Sequence, residues 1–333
     1  MNIFQNYLVE EFAEDYQEGH LTRREALKLI AGVTGSLVVA TTILSACAPA
    51  ETATPGIASA RLGTDTPPGN PAGKPAGIPA TETPAPTENV IEIVSGDASP
   101  TQPLPQSTIE AGAVEITPEL RGYLARPAGE GPFAVILVCH ENRGLTPHIE
   151  DVTRRLAQAG YAALAVDLLS RSGGTASLDP SDVPGIPGNT SPDQFVADFL
   201  SGWEYLKTLP NTQPERVGML GFCFGGGVTW LMATRMPELL AAVPFYGPHP
   251  PLEDVPDIRA AVLGIYAGND QRINQGIPEI EQAMAENNKV FEKIIYPGVD
   301  HAFHNDTGSR YNTEAASNAW KRTLDWFESY VKG

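Results

Sequence analysis

Along residues 112–333 the apolar positions alternate between two patterns. Phe133-Ala134-Val135-Ile136-Leu137-Val138-Cys139 is an unbroken apolar run, as a strand buried on both faces requires. Ala162-Ala163-Leu164-Ala165-Val166 and Val217-Gly218-Met219-Leu220-Gly221 repeat it, and shorter runs at 241–245, 262–266 and 291–296 predict further strands. Between these runs the period becomes helical. Ile149, Val152, Leu156 and Ala157 share a face that ends at Gly160. Ser191-Pro192 caps a helix carrying Phe195, Phe199, Trp203 and Leu206. Further helices are expected from about 224 to 236 and from about 313 to 331. Alternating strands and helices predict an α/β domain, its mostly parallel sheet covered by helices on both faces. No internal repeat is visible.

Upstream the pattern changes twice. Residues 47–111 are rich in Pro, Thr and Ala, with twelve of the chain's 30 prolines between 48 and 111. Such a segment buries too little surface to offset its ordering entropy, so a disordered tether is expected there. Before it, Thr22-Arg23-Arg24-Glu25-Ala26-Leu27-Lys28 precedes an apolar stretch from Leu29 to Ala46, which ends in Leu44-Ser45-Ala46-Cys47. This order resembles a twin-arginine export signal joined to a lipoprotein signal over residues 1–46, with Cys47 as the lipidated residue. An uncleaved membrane anchor is the alternative. Both readings put the domain on the extracytoplasmic side of a membrane.

Composition narrows the function. The chain of 333 residues is 42% hydrophobic, enough to build a core. Its formal net charge of -18 disfavours a phosphate-backbone partner, so no nucleic acid is expected. Three cysteines lack both a disulfide framework and metal-ligand spacing. No metal or other cofactor is expected, and the domain reads as a monomer.

The candidate chemistry lies at strand ends. Gly221-Phe222-Cys223-Phe224-Gly225-Gly226 sits between a strand and a helix, the context of a nucleophile elbow. Small neighbours suit a tight turn, and the helix N-terminus favours a thiolate. Asp270 and His301 each follow an apolar strand, where open α/β sheets collect functional groups. The chain order nucleophile, acid, histidine is that of α/β-hydrolases. His301 is then the general base and acid, and Asp270 fixes its tautomer.

Over about residues 112–333 these motifs resemble the dienelactone hydrolase family. Gly221–Gly226 matches the family's nucleophile segment, and Asp270 and His301 match its other triad members. His140-Glu141-Asn142-Arg143-Gly144 resembles the segment carrying the family's extra glutamate, and Asp167-Leu168-Leu169-Ser170-Arg171 resembles its next loop. The resemblance implies an α/β-hydrolase fold and ester or lactone cleavage through an acyl-enzyme, with carboxymethylenebutenolidase-type activity within that class. It also implies that Glu141 contacts the resting cysteine, that backbone N–H groups of Phe224 and Asn142 form the oxyanion hole, and that Arg171 binds substrate. Asn305 stands where the family carries a second arginine, which argues against a dienelactone substrate. Arg143 or Arg272 is a candidate replacement. His140 reads as a hydrogen-bonded loop histidine. The competing class is a non-catalytic envelope module that binds a ligand or partner on the same fold.

Overall fold

The computed structural model describes residues 1–47, 108–180 and 182–333. Eight strands form one sheet: β1 (Ile109–Thr117), β2 (Leu120–Pro127), β3 (Phe133–Cys139), β4 (Ala162–Asp167), β5 (Thr212–Phe222), β6 (Ala241–Phe245), β7 (Ala261–Ala267) and β8 (Phe291–Tyr296). Their order is β1-β2-β4-β3-β5-β6-β7-β8. The β1–β2 and β2–β4 pairs are antiparallel, and every other pair is parallel. All residues of β4 and β7 are buried, as strands covered on both faces must be.

The chain steps from β3 to β4 on one side and then to β5 on the other. This reversal opens a crevice at the C-terminal ends of β3 and β5. Register brings the two ends level, with Cys139 opposite Gly221. Phe222 lies opposite Phe245 on the other neighbour.

Ten α-helices accompany the sheet among the described residues: α1 (Ile3–Gln17), α2 (Arg23–Thr34), α3 (Leu37–Ala46), α4 (Pro147–Gln158), α5 (Gly185–Asn189), α6 (Pro192–Thr208), α7 (Phe224–Arg235), α8 (Gln271–Asn274), α9 (Ile277–Glu286) and α10 (Thr313–Phe327). In α6 the Ser191 hydroxyl accepts from the Gln194 N–H at 3.2 Å, satisfying one of the helix's free donors. Helix α7 is buried from Phe224 through Thr234, so nearly its whole circumference faces protein.

The structure departs from the sequence expectations at the start of the domain. Strands β1 and β2 were not anticipated, and residues 109–111 belong to β1. The globular part therefore starts before residue 112. Residues 48–107 of the expected tether lie outside the described residues.

The N-terminal helices α1 and α2 are folded against the domain. Asn2 and Gln5 form a reciprocal capping box on α1, and Thr22 and Glu25 form one on α2. The apolar stretch 29–46 is not one helix. Gly35, at φ 66°, ends α2 in the left-handed region, and Ser36 caps α3. Among the described residues no helix is long and apolar enough to cross a membrane. Phe4 of α1 meets Phe195 and Phe224 edge-on, with centroids 5.3 and 5.2 Å away. Aromatic contacts of this kind each contribute about 0.5–1.5 kcal/mol beyond area burial.

Candidate active site

Three connections converge on the crevice. The turn from β5 to α7 carries Cys223 at φ 59° and ψ -122°, a conformation that non-glycine residues rarely adopt. The turn is held by its surroundings. The Cys223 N–H donates to the Phe245 carbonyl at 3.0 Å. A Cβ on Gly221 would strike the Gly225 carbonyl, and one on Gly225 would strike the His140 carbonyl. The small residues around the cysteine are thus required by backbone approach on both sides.

The connections after β7 and β8 supply Asp270 and His301. His301 Nδ1 and Asp270 Oδ2 are 2.5 Å apart, and both side chains are buried. Donation from Nδ1–H leaves Nε2 free to accept a proton. Burial opposes charge on His301, yet the Asp270 carboxylate outweighs it and raises the imidazole pKa. Burial also opposes the Asp270 charge, and the imidazole outweighs it in turn, lowering that pKa.

The sulfur faces α1. The Tyr7 hydroxyl donates to Cys223 Sγ at 3.2 Å and lies 3.4 Å from His301 Nε2. The thiol approaches the Glu11 carboxylate, with Sγ 3.5 and 3.6 Å from its two oxygens. Glu11 Oε1 also accepts from Asn142 Nδ2 at 3.0 Å. Cys223 is 3% exposed. Burial first, then the charges of Glu11 and Glu141, push the thiol pKa well above its ordinary value. The Tyr7 hydroxyl and the Phe224 amide oppose that rise without reversing it. Burial, Cys223 and Glu11 together raise the Tyr7 pKa as well.

The predicted residues separate into two groups. Cys223, His301, Glu141, Asn142 and Arg143 line one cavity of about 180 Å³. Asp270 stands behind His301. Glu141 does not make the expected contact with the thiol. Its Oε2 accepts from Asn305 Nδ2 at 2.7 Å, and among the described residues the carboxylate bonded to the sulfur is that of Glu11. Burial raises the Glu141 pKa despite the nearby His148, Asn305 and His301.

Arg171 is not at this cavity. Its Nη1 bonds both oxygens of the buried Asp198, at 2.7 and 2.8 Å, and it lines a separate cavity with Glu119 and Arg121. The neighbouring carboxylates claim its charge, so the expected substrate contact is corrected. Arg272 bonds Glu14 at 2.9 Å, and its guanidinium carbon lies 4.6 Å from the Tyr7 ring centroid. Arg310, which the sequence reading did not single out, lines the Cys223 cavity and pairs with Asp15 at 3.2 Å. His140 links the loops after β3 and β4, through Glu141 O at 2.6 Å and the Leu168 N–H at 3.2 Å. Cys47 is a free, partly exposed cysteine at the end of α3.

Tyr7 and Glu11 were missed although a signal existed. Phe4, Tyr7, Leu8, Glu11 and Phe12 follow the i, i+3, i+4, i+7, i+8 spacing of one helix face. An acid on such a stripe implies a buried partner. Ligand atoms of Glu11, Cys223 and His301 lie within 4.8 Å of one another and could hold a metal ion. The Tyr7 hydroxyl already occupies the space between sulfur and imidazole.

The sheet order, the strained cysteine turn and the His–Asp pair beside it define an α/β-hydrolase fold with a cysteine elbow. The dienelactone hydrolase family model matches residues 120–331. Two relatives named "Putative carboxymethylenebutenolidase" come from Methylorubrum extorquens and Escherichia coli K12. The first is 36% identical over 236 residues, covering 66% of this chain and 81% of its own. The second is 35% identical over 250 residues, covering 68% and 89%. A Klebsiella pneumoniae structure described as "Putative Dienelactone Hydrolase" is 32% identical, covers 67% of this chain and 100% of its own, and has a TM-score of 0.62. The Anabaena variabilis dienelactone hydrolase structure, 23% identical with a TM-score of 0.53 over 68% of this chain and 99% of its own, supports the fold. The chain belongs to the dienelactone hydrolase family.

Proposed function

We propose that the protein hydrolyses ester or lactone bonds of small molecules through Cys223, His301 and Asp270. The observation that carries this reading is the convergence of the strained cysteine turn and the Asp270–His301 pair on one cavity. The Cys223 thiol gives its proton to His301 Nε2 as sulfur bonds to the substrate carbonyl carbon. The carbonyl π pair moves onto oxygen, facing the backbone N–H groups of Phe224 and Asn142. Collapse re-forms the carbonyl and breaks the carbon–oxygen single bond. The departing alkoxide takes the proton from His301, leaving a thioester on Cys223. Water then gives a proton to Nε2 while its oxygen attacks the thioester. Collapse expels sulfur, the acid is released, and the proton returns to the thiol. Asp270 stabilises the imidazolium in both halves. No metal enters the cycle.

The substrate site is the cavity rimmed by Arg143, Asn305 and Arg310. Arg23-Arg24, the apolar stretch 29–46 and the Leu44–Cys47 segment support export and lipidation at Cys47, which makes the protein an extracytoplasmic, membrane-anchored hydrolase.

Two measurements test these readings. Incubation with a p-nitrophenyl ester should leave an acyl group on the Cys223 peptide, seen by mass spectrometry, and Cys223→Ala should lose both the adduct and the hydrolysis. Ester cleavage that survives Cys223→Ala removes the mechanism. Radiolabelled palmitate should enter the expressed wild-type chain and not Cys47→Ser; equal labelling of the two removes the anchor.

A further inference from the structure

We propose that α1 is an autoinhibitory plug: in the state described here the N-terminal helix closes the hydrolase site, and substrate enters only when it withdraws. The proposal rests on the reading of Cys223 as nucleophile.

Four observations point the same way. The Tyr7 hydroxyl lies between sulfur and imidazole, 3.2 Å from Cys223 Sγ and 3.4 Å from His301 Nε2, on the path the thiol proton must take. The Glu11 carboxylate faces the sulfur at 3.5 Å, where its negative charge opposes a thiolate. Asn142, whose backbone is an oxyanion donor, has its side chain bound to Glu11 at 3.0 Å. The cavity left at Cys223 is about 180 Å³. That is below the roughly 300–1,000 Å³ usual for small-molecule sites.

The plug is built to dock. Phe4, Leu8 and Phe12 form its buried apolar face, while Glu14 and Asp15 pair with Arg272 and Arg310 at 2.9 and 3.2 Å. Helices α1–α3 join the domain through residues 48–107, so the plug is an intramolecular ligand held at high effective concentration. Its withdrawal also frees Arg310 at the cavity rim. Cleavage before Cys47, as proposed above, would remove α1 altogether and leave the site open.

The plug need not be complete to matter. Apparent activity scales with the fraction of molecules that are open, so one in ten open gives about a tenfold deficit. The test uses the full chain and two variants outside the reacting groups. Phe4→Asp/Leu8→Asp breaks the apolar contact. Glu14→Arg/Asp15→Arg reverses charges at partly exposed positions and leaves the core intact, so it serves if the first variant misfolds. Alkylation of Cys223 by iodoacetamide is followed on its tryptic peptide, alongside p-nitrophenyl acetate hydrolysis.

Both rates should rise at least about tenfold in the variants, and salt should raise them in wild type by weakening the ion pairs. Equal alkylation rates in wild type and variants would overturn the plug while leaving the hydrolase reading intact. Faster alkylation with slower hydrolysis would also overturn it, because α1 would then supply part of the catalytic site. Faster alkylation with no ester cleavage in any form would support the closure and remove the hydrolase reading.

Discussion

The Tyr7 hydroxyl donates a 3.2 Å hydrogen bond to the Cys223 sulfur, joining the first turns of the chain to the β5–α7 elbow. The two residues are 216 positions apart. The Tyr7 contact lowers the thiol pKa, while burial, the largest influence, raises it. Burial and the Glu11 charge outweigh that contact, so the thiol pKa stands well above its ordinary value. Tyr7 and Glu11, which contact the sulfur, lie outside the family's matched region of residues 120–331.

The pairing of His301 with Asp270 predicts a specific kinetic signature. Catalysis needs Nε2 unprotonated, and Asp270 raises the imidazole pKa above its ordinary 6.5. The acidic limb of the rate profile should accordingly lie above pH 6.5 in wild type. Asp270→Asn removes the charge that holds the limb there, so the limb should move to lower pH. Its plateau should fall by about 10⁴, as loss of the tautomer-fixing acid does in hydrolytic triads. A pH series of p-nitrophenyl ester hydrolysis decides it, and an unmoved limb would detach Asp270 from the titration.

Arg171 should matter for stability and not for substrate. Its guanidinium satisfies Asp198, whose side chain is 2% exposed. Burial raises the Asp198 pKa even with Arg171 and Gln194 bound. Arg171→Ala should leave KM unchanged and cost about 1–2 kcal/mol through the lost bonds to a buried acceptor. Steady-state kinetics and urea unfolding on the same preparation separate the two. A raised KM at unchanged stability would return Arg171 to the substrate site.

What the sequence made legible follows from burial. Strands β3, β4 and β7 read as continuous apolar runs because both their faces are covered. Cys223 and Asp270 sit just past such runs and His301 past the half-buried β8, so their convergence could be inferred from strand ends. Strand β1 alternates partly buried and exposed positions at the sheet edge, and its pattern fades into the Pro- and Thr-rich stretch before it. Arg171 misled because a sequence does not show which acid claims a cation, and Asp198 lies on the inward face of α6. Helix α1 was hidden by its own acids. Glu10, Glu11, Glu14 and Asp15 break up the apolar stripe of residues 1–17, although the 4, 7, 8, 11, 12 spacing marks a buried face.

The glycines around the elbow give a packing prediction. A Cβ at Gly225 would meet the carbonyls of His140 and Cys139, both main-chain atoms of the neighbouring strand end. Neither can move without shifting the loop that carries Glu141 and Asn142. Gly225→Ala should therefore destabilise by about 1–3 kcal/mol, the usual cost of overpacking. It should also lower kcat more than KM, because the displaced loop carries the Asn142 amide proposed above as an oxyanion donor. Urea midpoints and ester kinetics test this, and wild-type values for both would mean the loop yields freely.

His304 sets a limit on acid stability. It is 1% exposed, and neither ring nitrogen has a hydrogen-bond partner among the described residues. The ring stacks on Phe222 with centroids 5.0 Å apart at 24°. Burial, with Arg155 and His148 adding to it, holds its pKa well below the ordinary 6.5. The sign follows from proton counts. Below pH 6.5 the unfolded chain binds a proton that the folded chain refuses, so acid favours unfolding. The contribution is fully present above that pH and is lost as pH falls, by up to about 1.4 kcal/mol per unit. His304→Phe keeps a flat ring on Phe222 and removes the titration. Phe is the larger ring, so at neutral pH the swap should cost about 1–3 kcal/mol through overpacking. Between pH 7.5 and pH 5 the variant's urea midpoint should fall distinctly less than that of wild type. Parallel loss of stability in the two proteins between pH 7.5 and pH 5 would mean that another group carries the acid sensitivity.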